Sequence, residues 1–309
     1  MNQSSFNGLS SRVVAPGTII ADQTLSVMAI VIGFAGNVKV CYFFVQCRDL
    51  RKVPHFLFVS LAVSGIISSV FSLPSRLAML ALVGLGRIDY AKPAFYIVVS
   101  SSFLCAVVNS VTLSLMAIDR QDCVLRPFNR RMTPSNVKFI IAGNWIGALV
   151  LTSVLIVRVF FTPSLFNPVN FFSQMTYEKP NPNLIFHLTG LVLNVGTLII
   201  VIVTAIRVVK GIRSSILPDA ASLHRRQEIK LTWLTYKISG VCFACWIPQL
   251  ICTSLLASGV HRDIILINAL VITSTVGYYN YVLNPLVYYG ILKERPGREA
   301  ANRRGRLPR

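Results

Sequence analysis

The sequence has 309 residues, of which 54% are hydrophobic and only 13% are charged, and its mean hydropathy is +0.63. Soluble domains carry about 25% charged residues, so this composition excludes a soluble globular enzyme. Thirty Lys and Arg against eleven Asp and Glu give a net charge of +19. Such a charge is typical of nucleic-acid-binding proteins unless the cations lie at the ends of membrane spans.

The chain begins with a polar segment, residues 1–21, that lacks the basic start and apolar run of a signal peptide. We expect this segment to be extracellular. Asn2 is followed by Gln3 and Ser4, which matches the N-glycosylation sequon, so Asn2 is a glycosylation candidate.

Seven long apolar segments follow, separated by polar stretches. They are 22–46, 54–80, 93–122, 136–161, 184–211, 230–258 and 263–291. Each reaches the ~20 residues that an α-helix needs to cross about 30 Å of hydrocarbon. Strands are excluded because they cross in about 9–11 alternating residues. The predicted fold is an all-α integral membrane protein, a seven-transmembrane helix bundle forming one domain over residues 22–292.

Lys and Arg are unevenly distributed between the two sides of the predicted bundle. With the N-terminus outside, the loops after segments 1, 3 and 5 and the basic tail 293–309 carry about three times as many as the other side. Cytoplasmic loops carry this excess, so we expect the C-terminus in the cytosol. The cations then face anionic inner-leaflet lipid or a cytosolic partner, and the tail is expected to rest on the membrane by charge. Nucleic acid is not expected as a partner.

None of the seven cysteines falls in a predicted outer loop, so no structural disulfide is expected. Cys242 and Cys245 form a CxxC pair inside segment 6, where helix packing is favoured over metal or redox chemistry. The sequence contains no cluster with zinc-ligand spacing, no phosphate-binding glycine loop and no Ser–His–Asp set. An enzyme, a metal site and a cofactor are therefore not expected.

Polar residues and prolines lie inside several predicted helices, where each has an energetic cost in lipid. Segments 1, 2 and 4 contain Asn37, Pro74 and Trp145. Segment 3 ends in Asp119-Arg120-Gln121, segment 6 contains Cys245-Trp246-Ile247-Pro248, and segment 7 contains Asn284-Pro285-Leu286-Val287-Tyr288. With these residues in this order, the sequence resembles a rhodopsin-like (class A) G-protein-coupled receptor over nearly its whole length.

The resemblance implies a plasma-membrane receptor that converts an extracellular signal into guanine-nucleotide exchange on a cytosolic heterotrimeric G protein. Asp119-Arg120-Gln121 is similar to the family's Asp-Arg-Tyr box, and the segment 6 and 7 motifs are similar to its toggle switch and its Asn-Pro-x-x-Tyr motif. The activation switch expected from these motifs consists of Asp119, Arg120, Glu228, Trp246, Pro248, Asn284, Pro285 and Tyr288.

Two physical arguments apply to this switch. Pro248 and Pro285 each remove an intrahelical hydrogen bond and kink the helix, which gives two packings that a ligand can bias. Arg120 is too costly to leave unpaired, and its candidate partners are Asp119 and Glu228. Breaking an Arg120–Glu228 pair would release segment 6 to swing outward. The alternative for Glu228 is a solvated charge at the end of a loop.

A polar network is predicted among four asparagines. Asn280 and Asn284 lie four apart on one face of segment 7 and are expected to hydrogen-bond inward with Asn37 and Asn109, or else to serve only in packing. Gly65 stands where the resembling family keeps an Asp, so the family's sodium site should be missing. Asn109 should crowd that site even if an Asp were restored.

The predicted ligand pocket lies in the outer half of the bundle. Its candidate residues are Ser102, His187, Gln249, Thr253, Ser274 and Tyr278. The hydropathy pattern assigns no acid to the outer half of any helix core, so a cationic amine would lack a counter-ion. A neutral or acidic ligand is therefore predicted over a monoamine, with Arg76 or Arg158 as anion partners.

A pump, a transporter or channel, and a receptor-like protein are the alternatives to a ligand-gated receptor. A retinal-based pump needs a Lys in its seventh helix, and none occurs from 263 to 291. A transporter or channel would show internal repeats and a path of intramembrane charges, and neither is found. A receptor-like protein that is constitutively active, or that acts only as a dimer partner, stays open as an alternative.

Overall fold

The structure is a computed structural model that describes residues 15–46, 52–85, 87–126, 128–161, 184–214, 222–257 and 264–292. The Asn2 sequon and the basic tail 293–309 lie outside these residues. The described part of the chain contains seven helices long and apolar enough to cross a membrane, so the predicted bundle is confirmed.

The seven helices follow one another in chain order. Helix 1 is Pro16–Gln46, helix 2 is Val53–Ile67 and Leu73–Gly84 joined by the π-helical turn Ser68–Ser72, helix 3 is Ile88–Leu125, helix 4 is Val137–Phe161, helix 5 is Leu184–Ser214, helix 6 is Ser222–Ala257 and helix 7 is Ile264–Leu292.

Helices 1 and 6 begin earlier than the hydropathy pattern predicted. Helix 1 begins at Pro16, because proline has the backbone angle of a first helical residue and needs no hydrogen-bond acceptor for its nitrogen. Helix 6 begins at Ser222 and passes through a polar, basic stretch before it becomes apolar. Hydropathy marks where a helix leaves hydrocarbon and not where it ends. The early start of helix 6 places Glu228 on a helix rather than in a loop.

The π-helical turn in helix 2 directly precedes Leu73 and Pro74. Proline lacks the N–H that the preceding turn needs, and a widened turn accommodates this loss. The serines of this turn at positions 68, 69 and 72 are buried. Ser72 Oγ donates to Ser101 Oγ on helix 3 at 2.8 Å, so the turn gives helix 2 a polar contact with the bundle interior.

Helix 3 is the central helix and contacts helices 2, 4, 5 and 6, while helix 7 contacts helices 6, 1 and 2. The largest buried apolar cluster among the described residues includes Leu57 of helix 2, Met116 of helix 3 and Ile238 of helix 6. Large apolar side chains on the outside of the bundle, such as Val154, are exposed, which suits a surface solvated by lipid. The two ends of the bundle are called below the Arg120 end and the Asp22 end.

Candidate functional site

The Arg120 guanidinium lies between two carboxylates at one end of the bundle. Arg120 is 1% exposed and forms an ion pair with Asp119 Oδ2, with a second contact from Nε at 3.1 Å. Nη1 donates to Glu228 Oε2 on helix 6 at 2.9 Å. A buried charge is stable only when it is paired and hydrogen-bonded, so this contact holds helix 6 against helix 3.

Two further residues at the Arg120 end were not singled out from the sequence. Cys123, one turn after Arg120, donates from Sγ to the same Glu228 Oε2 at 3.1 Å. Asp122 is buried, and its Oδ2 lies 3.4 Å from both the backbone N and Nε of Arg131. Asp122 thereby ties the chain after helix 3 back to that helix. Asp122 could have been noticed in the sequence, because it is a second acid directly after the Asp119-Arg120-Gln121 motif.

Tyr288 of helix 7 is held in the bundle interior by helix 2. Its hydroxyl lies 2.8 Å from His55 Nδ1, and its ring packs on Phe58 with the centroids 4.7 Å apart. Pro285 packs against helix 1, where a Cβ at Gly36 would lie 3.1 Å from Pro285 Cβ. The partner of Tyr288 was missed because His55 lies on another helix and far away in the sequence.

Trp246 and Gln249 of helix 6 pack against helix 7 at a glycine. A Cβ at Gly277 would lie 2.9 Å from Gln249 Oε1 and 3.8 Å from Trp246 Cε3. A Cβ at this position would press on the end of the Gln249 side chain and would lie in ordinary contact with the Trp246 ring. Pro248 lies between them inside the continuous helix Ser222–Ala257. The structure therefore brings the predicted helix 6 motif onto the backbone of helix 7.

The predicted hydrogen bonds among the asparagines are wrong. Asn37 Nδ2 donates to two backbone carbonyls, Gly33 O at 2.7 Å and Tyr281 O at 2.9 Å. Asn109 Oδ1 instead accepts from Ser64 Oγ at 2.6 Å. Both side-chain polar atoms of Asn280 and Oδ1 of Asn284 are buried and have no hydrogen-bond partner among the described residues. For Asn37, backbone carbonyls of helices 1 and 7 take the place of the predicted amide partners.

Position 65 has no room for a side chain. A Cβ there would lie 2.5 Å from Asn37 Nδ2, and the two carbonyl bonds of Asn37 prevent that amide from moving away. The residue predicted to crowd this place is Asn109. Asn37 fills it instead.

Replacing Gly65 by Asp is therefore expected to destabilise the protein without creating a sodium site. Overpacking of this kind costs about 1–3 kcal/mol. We expect the same loss for Gly65→Ala, and no change in the thermal midpoint of any of these proteins when sodium replaces a large organic cation at equal ionic strength. A sodium-dependent rise in the midpoint of Gly65→Asp would contradict this reading.

Among the predicted pocket residues, the structure pairs Ser102 with Tyr278. The hydroxyls of Ser102 on helix 3 and Tyr278 on helix 7 lie 2.6 Å apart. Ser274 Oγ donates to the carbonyl of Val271 in its own helix at 2.7 Å. Thr253 is buried on helix 6. His187 lies in helix 5, but its side chain is outside the described part of the chain, as is that of Arg158.

A buried ion pair lies near the Asp22 end, so the prediction that the outer half of the helix cores contains no acid is wrong. Asp22 of helix 1 is fully buried, and its Oδ1 accepts from Arg76 Nη2 on helix 2 at 2.8 Å. Thr275 Oγ1 of helix 7 donates to the same oxygen, and Arg76 Nη2 also donates to Val271 O at 3.2 Å. Arg76 is therefore neutralised within the protein, which argues against the prediction that it pairs with an anionic ligand.

Comparison with known proteins gives the family. The model of the family described as "7 transmembrane receptor (rhodopsin family)" matches residues 36–288. Neuropeptide Y receptor type 2 of Cavia porcellus is 24% identical over 71% of this chain and 58% of its own length. The RYamide receptor of Drosophila melanogaster is 32% identical over 37% of this chain and 24% of its own length. The fMet-Leu-Phe receptor of Pongo pygmaeus is 26% identical over 57% of this chain and 54% of its own length.

The chain spans little more than half the length of the first of these receptors. The family match nevertheless runs from the middle of helix 1 to Tyr288 and includes the three motifs described above. The resemblance found in the sequence is confirmed. The seven membrane-spanning helices, together with the family and the receptor relatives, make this a multi-pass protein of the plasma membrane. The chain belongs to the rhodopsin family of seven-transmembrane receptors.

Proposed function

We propose that this chain is a G-protein-coupled receptor that converts binding of an extracellular ligand into guanine-nucleotide exchange on a heterotrimeric G protein. The observation that carries the proposal is Arg120, buried and shared between Asp119 on its own helix and Glu228 on helix 6. The excess of basic residues in the loops at this end supports a cytosolic location for it. The Asp22 end then faces outward.

The contact between Arg120 and Glu228 acts in this proposal as a latch between helices 3 and 6. Loss of the contact lets the Arg120 end of helix 6 swing outward, with Pro248 as the weak point of the helix. Trp246 touches helix 7 at Gly277, one residue from Tyr278. A ligand that separates Tyr278 from Ser102 would therefore act on helix 6 through this contact.

Tyr288 of helix 7, with its partners on helix 2, is proposed as a second element of the switch. Tyr288 is held by His55 and Phe58 while the latch is closed. A change in the packing of helix 6 against helix 7 would release Tyr288 toward the centre of the bundle. Asn284 and Pro285, which precede it, are the point at which helix 7 bends in this proposal.

The ligand is proposed to be a neutral or acidic molecule rather than a monoamine, and the named relatives favour a peptide. The one described acid buried near the Asp22 end, Asp22, is already paired with Arg76. The Ser102–Tyr278 hydroxyl pair offers hydrogen bonds but no charge. The relatives carry the names of receptors for neuropeptide Y, RYamide and fMet-Leu-Phe.

Nucleotide exchange on purified heterotrimeric G proteins tests the proposal. We expect the purified chain in lipid nanodiscs to accelerate exchange on at least one G protein class, and peptides to raise that rate further. A high rate that no ligand changes would instead favour the constitutively active alternative. Strong activation by a simple protonated monoamine that survives Asp22→Asn would contradict the predicted ligand class. No exchange on any G protein class would overturn the function.

A further inference from the structure

A groove of about 280 Å³ separates helices 5 and 6 in the half of the bundle nearer the Arg120 end. One wall carries Leu198, Ile202 and Val209 of helix 5, and the other carries Trp233, Gly240 and Phe243 of helix 6. These walls are almost entirely apolar. The groove differs from the Ser102–Tyr278 region because it lies on the outside of the bundle.

The groove opens toward the bilayer. Both walls belong to membrane-spanning helices, and Ile202 and Trp233 are 48% and 55% exposed. Leu198 to Ile212, which also lines the groove, covers about 21 Å at 1.5 Å per residue. One leaflet contributes about 15 Å of hydrocarbon, so the groove is long enough for an acyl chain of a lipid.

Gly240 makes the groove deep. A Cβ at Gly240 would meet no atom within 4 Å, and the residue is exposed. A side chain there would therefore extend into the groove without displacing the protein. The groove can be filled by substitution at this position without an expected loss of packing.

Cations lie at the Arg120 end of the groove. Arg213 follows Val209 on the same face of helix 5, is exposed and makes no salt bridge with any residue that the structure describes. Lys230 is exposed and lies one turn before Trp233 on helix 6. Tryptophan is enriched at the level of lipid headgroups, so Trp233 marks the depth at which a phosphate would meet these two cations.

We propose that an anionic phospholipid of the leaflet at the Arg120 end binds here, with one acyl chain in the groove and its headgroup at Arg213 and Lys230. The apolar walls accept the chain, and the cations select the charge of the headgroup. Helix 6 has its Glu228 paired with Arg120 in the structure that contains this groove. Lipid binding at this groove does not rest on the proposed function.

Lipid retention measures the binding without any G protein. The full chain is purified from nanodiscs that contain phosphatidylserine and phosphatidylcholine, washed in mild detergent, and its bound lipid is counted by native mass spectrometry. We expect one retained phosphatidylserine per chain, and none in Gly240→Leu. Arg213→Gln should weaken the preference for phosphatidylserine about fivefold, the effect of one charge near an anionic headgroup.

Two matched variants control for general effects. Gly147→Leu adds the same side chain at an exposed glycine of helix 4 that also has nothing near its Cβ. Arg207→Gln removes an exposed charge of helix 5 that does not line the groove. Both should retain phosphatidylserine as the unchanged chain does. The thermal midpoints of all variants establish that they are folded.

Several results would overturn the proposal. Equal retention in Gly240→Leu and the unchanged chain would place the lipid elsewhere. Equal retention of the two phospholipids would show that the cations do not select the headgroup, and retention of a sterol instead would identify a different occupant. Loss of a dimer in Gly240→Leu, with no lipid bound to the unchanged chain, would make the groove a contact between two copies. Absence of nucleotide exchange would not affect any of these readouts.

Discussion

Replacing Asp22 by Leu is expected to lower the free energy of unfolding by about 3–5 kcal/mol, the cost of leaving the partner of a buried ion pair uncompensated. Arg76 is 2% exposed and would keep its charge among helices 1, 2 and 7, with the carbonyl of Val271 as its one remaining hydrogen-bond partner among the described residues. Thr275 would lose its acceptor at the same time. Arg76→Met should cost about as much, because it leaves Asp22 unpaired.

The double variant distinguishes a missing charge from poor packing. Asp22→Leu combined with Arg76→Met removes both charges and should recover most of the stability lost by either single variant. Chemical denaturation of the purified protein in detergent measures all three. Asp89→Leu is the matched control, because Asp89 pairs with Lys92 at 2.6 Å while 86% exposed, and such pairs contribute about 0–1 kcal/mol. Additive losses in the double variant would contradict the ion-pair explanation.

Glu228→Gln is expected to raise ligand-independent nucleotide exchange about tenfold. The substitution keeps the size of the side chain but removes the charge that Arg120 Nη1 contacts at 2.9 Å. A hydrogen bond to a charged group contributes about 1.5–3 kcal/mol, and each 1.4 kcal/mol changes a population tenfold. Arg120→Ala should abolish exchange, because we propose that this guanidinium, once it leaves Glu228, contacts the G protein.

Exchange on purified G protein in nanodiscs measures both variants, with the amount of folded receptor determined in parallel. Asp122→Asn is the matched control, since Asp122 is an acid of the same helix end that pairs with Arg131 rather than Arg120. It should not raise the ligand-independent rate. An unchanged rate in folded Glu228→Gln would remove the support for the latch. Full activity in Arg120→Ala would overturn the role of Arg120 altogether.

Much of the fold was predictable because lipid restricts the choices of a chain. An apolar run of about 20 residues must form a helix in hydrocarbon, since no other local structure pairs every backbone group. Seven such runs therefore gave seven helices. Their polar ends were less predictable, as at Pro16 and Ser222, because outside the hydrocarbon the helix continues by propensity alone.

The motif residues were located by sequence, but their partners required the structure. Arg120 had one candidate partner adjacent in sequence and another on helix 6, and the fold brings both to it. The four asparagines were predicted to hydrogen-bond with one another because an amide side chain can both donate and accept. In the packed bundle, Asn37 donates instead to two backbone carbonyls. Its side chain occupies the space beside Gly65.

The sequence by itself determined that this is a seven-helix membrane protein of the rhodopsin family, since composition, segment length and motif order are local properties of the chain. Only the tertiary structure decided how the charges near the Asp22 end are used. Asp22 and Arg76 are 54 positions apart. Hydropathy placed Asp22 at the edge of a segment, and the charge of Arg76 made it a candidate partner for an anionic ligand. Their pairing follows from how helices 1, 2 and 7 pack, because a charge excluded from water must find an opposite charge within reach.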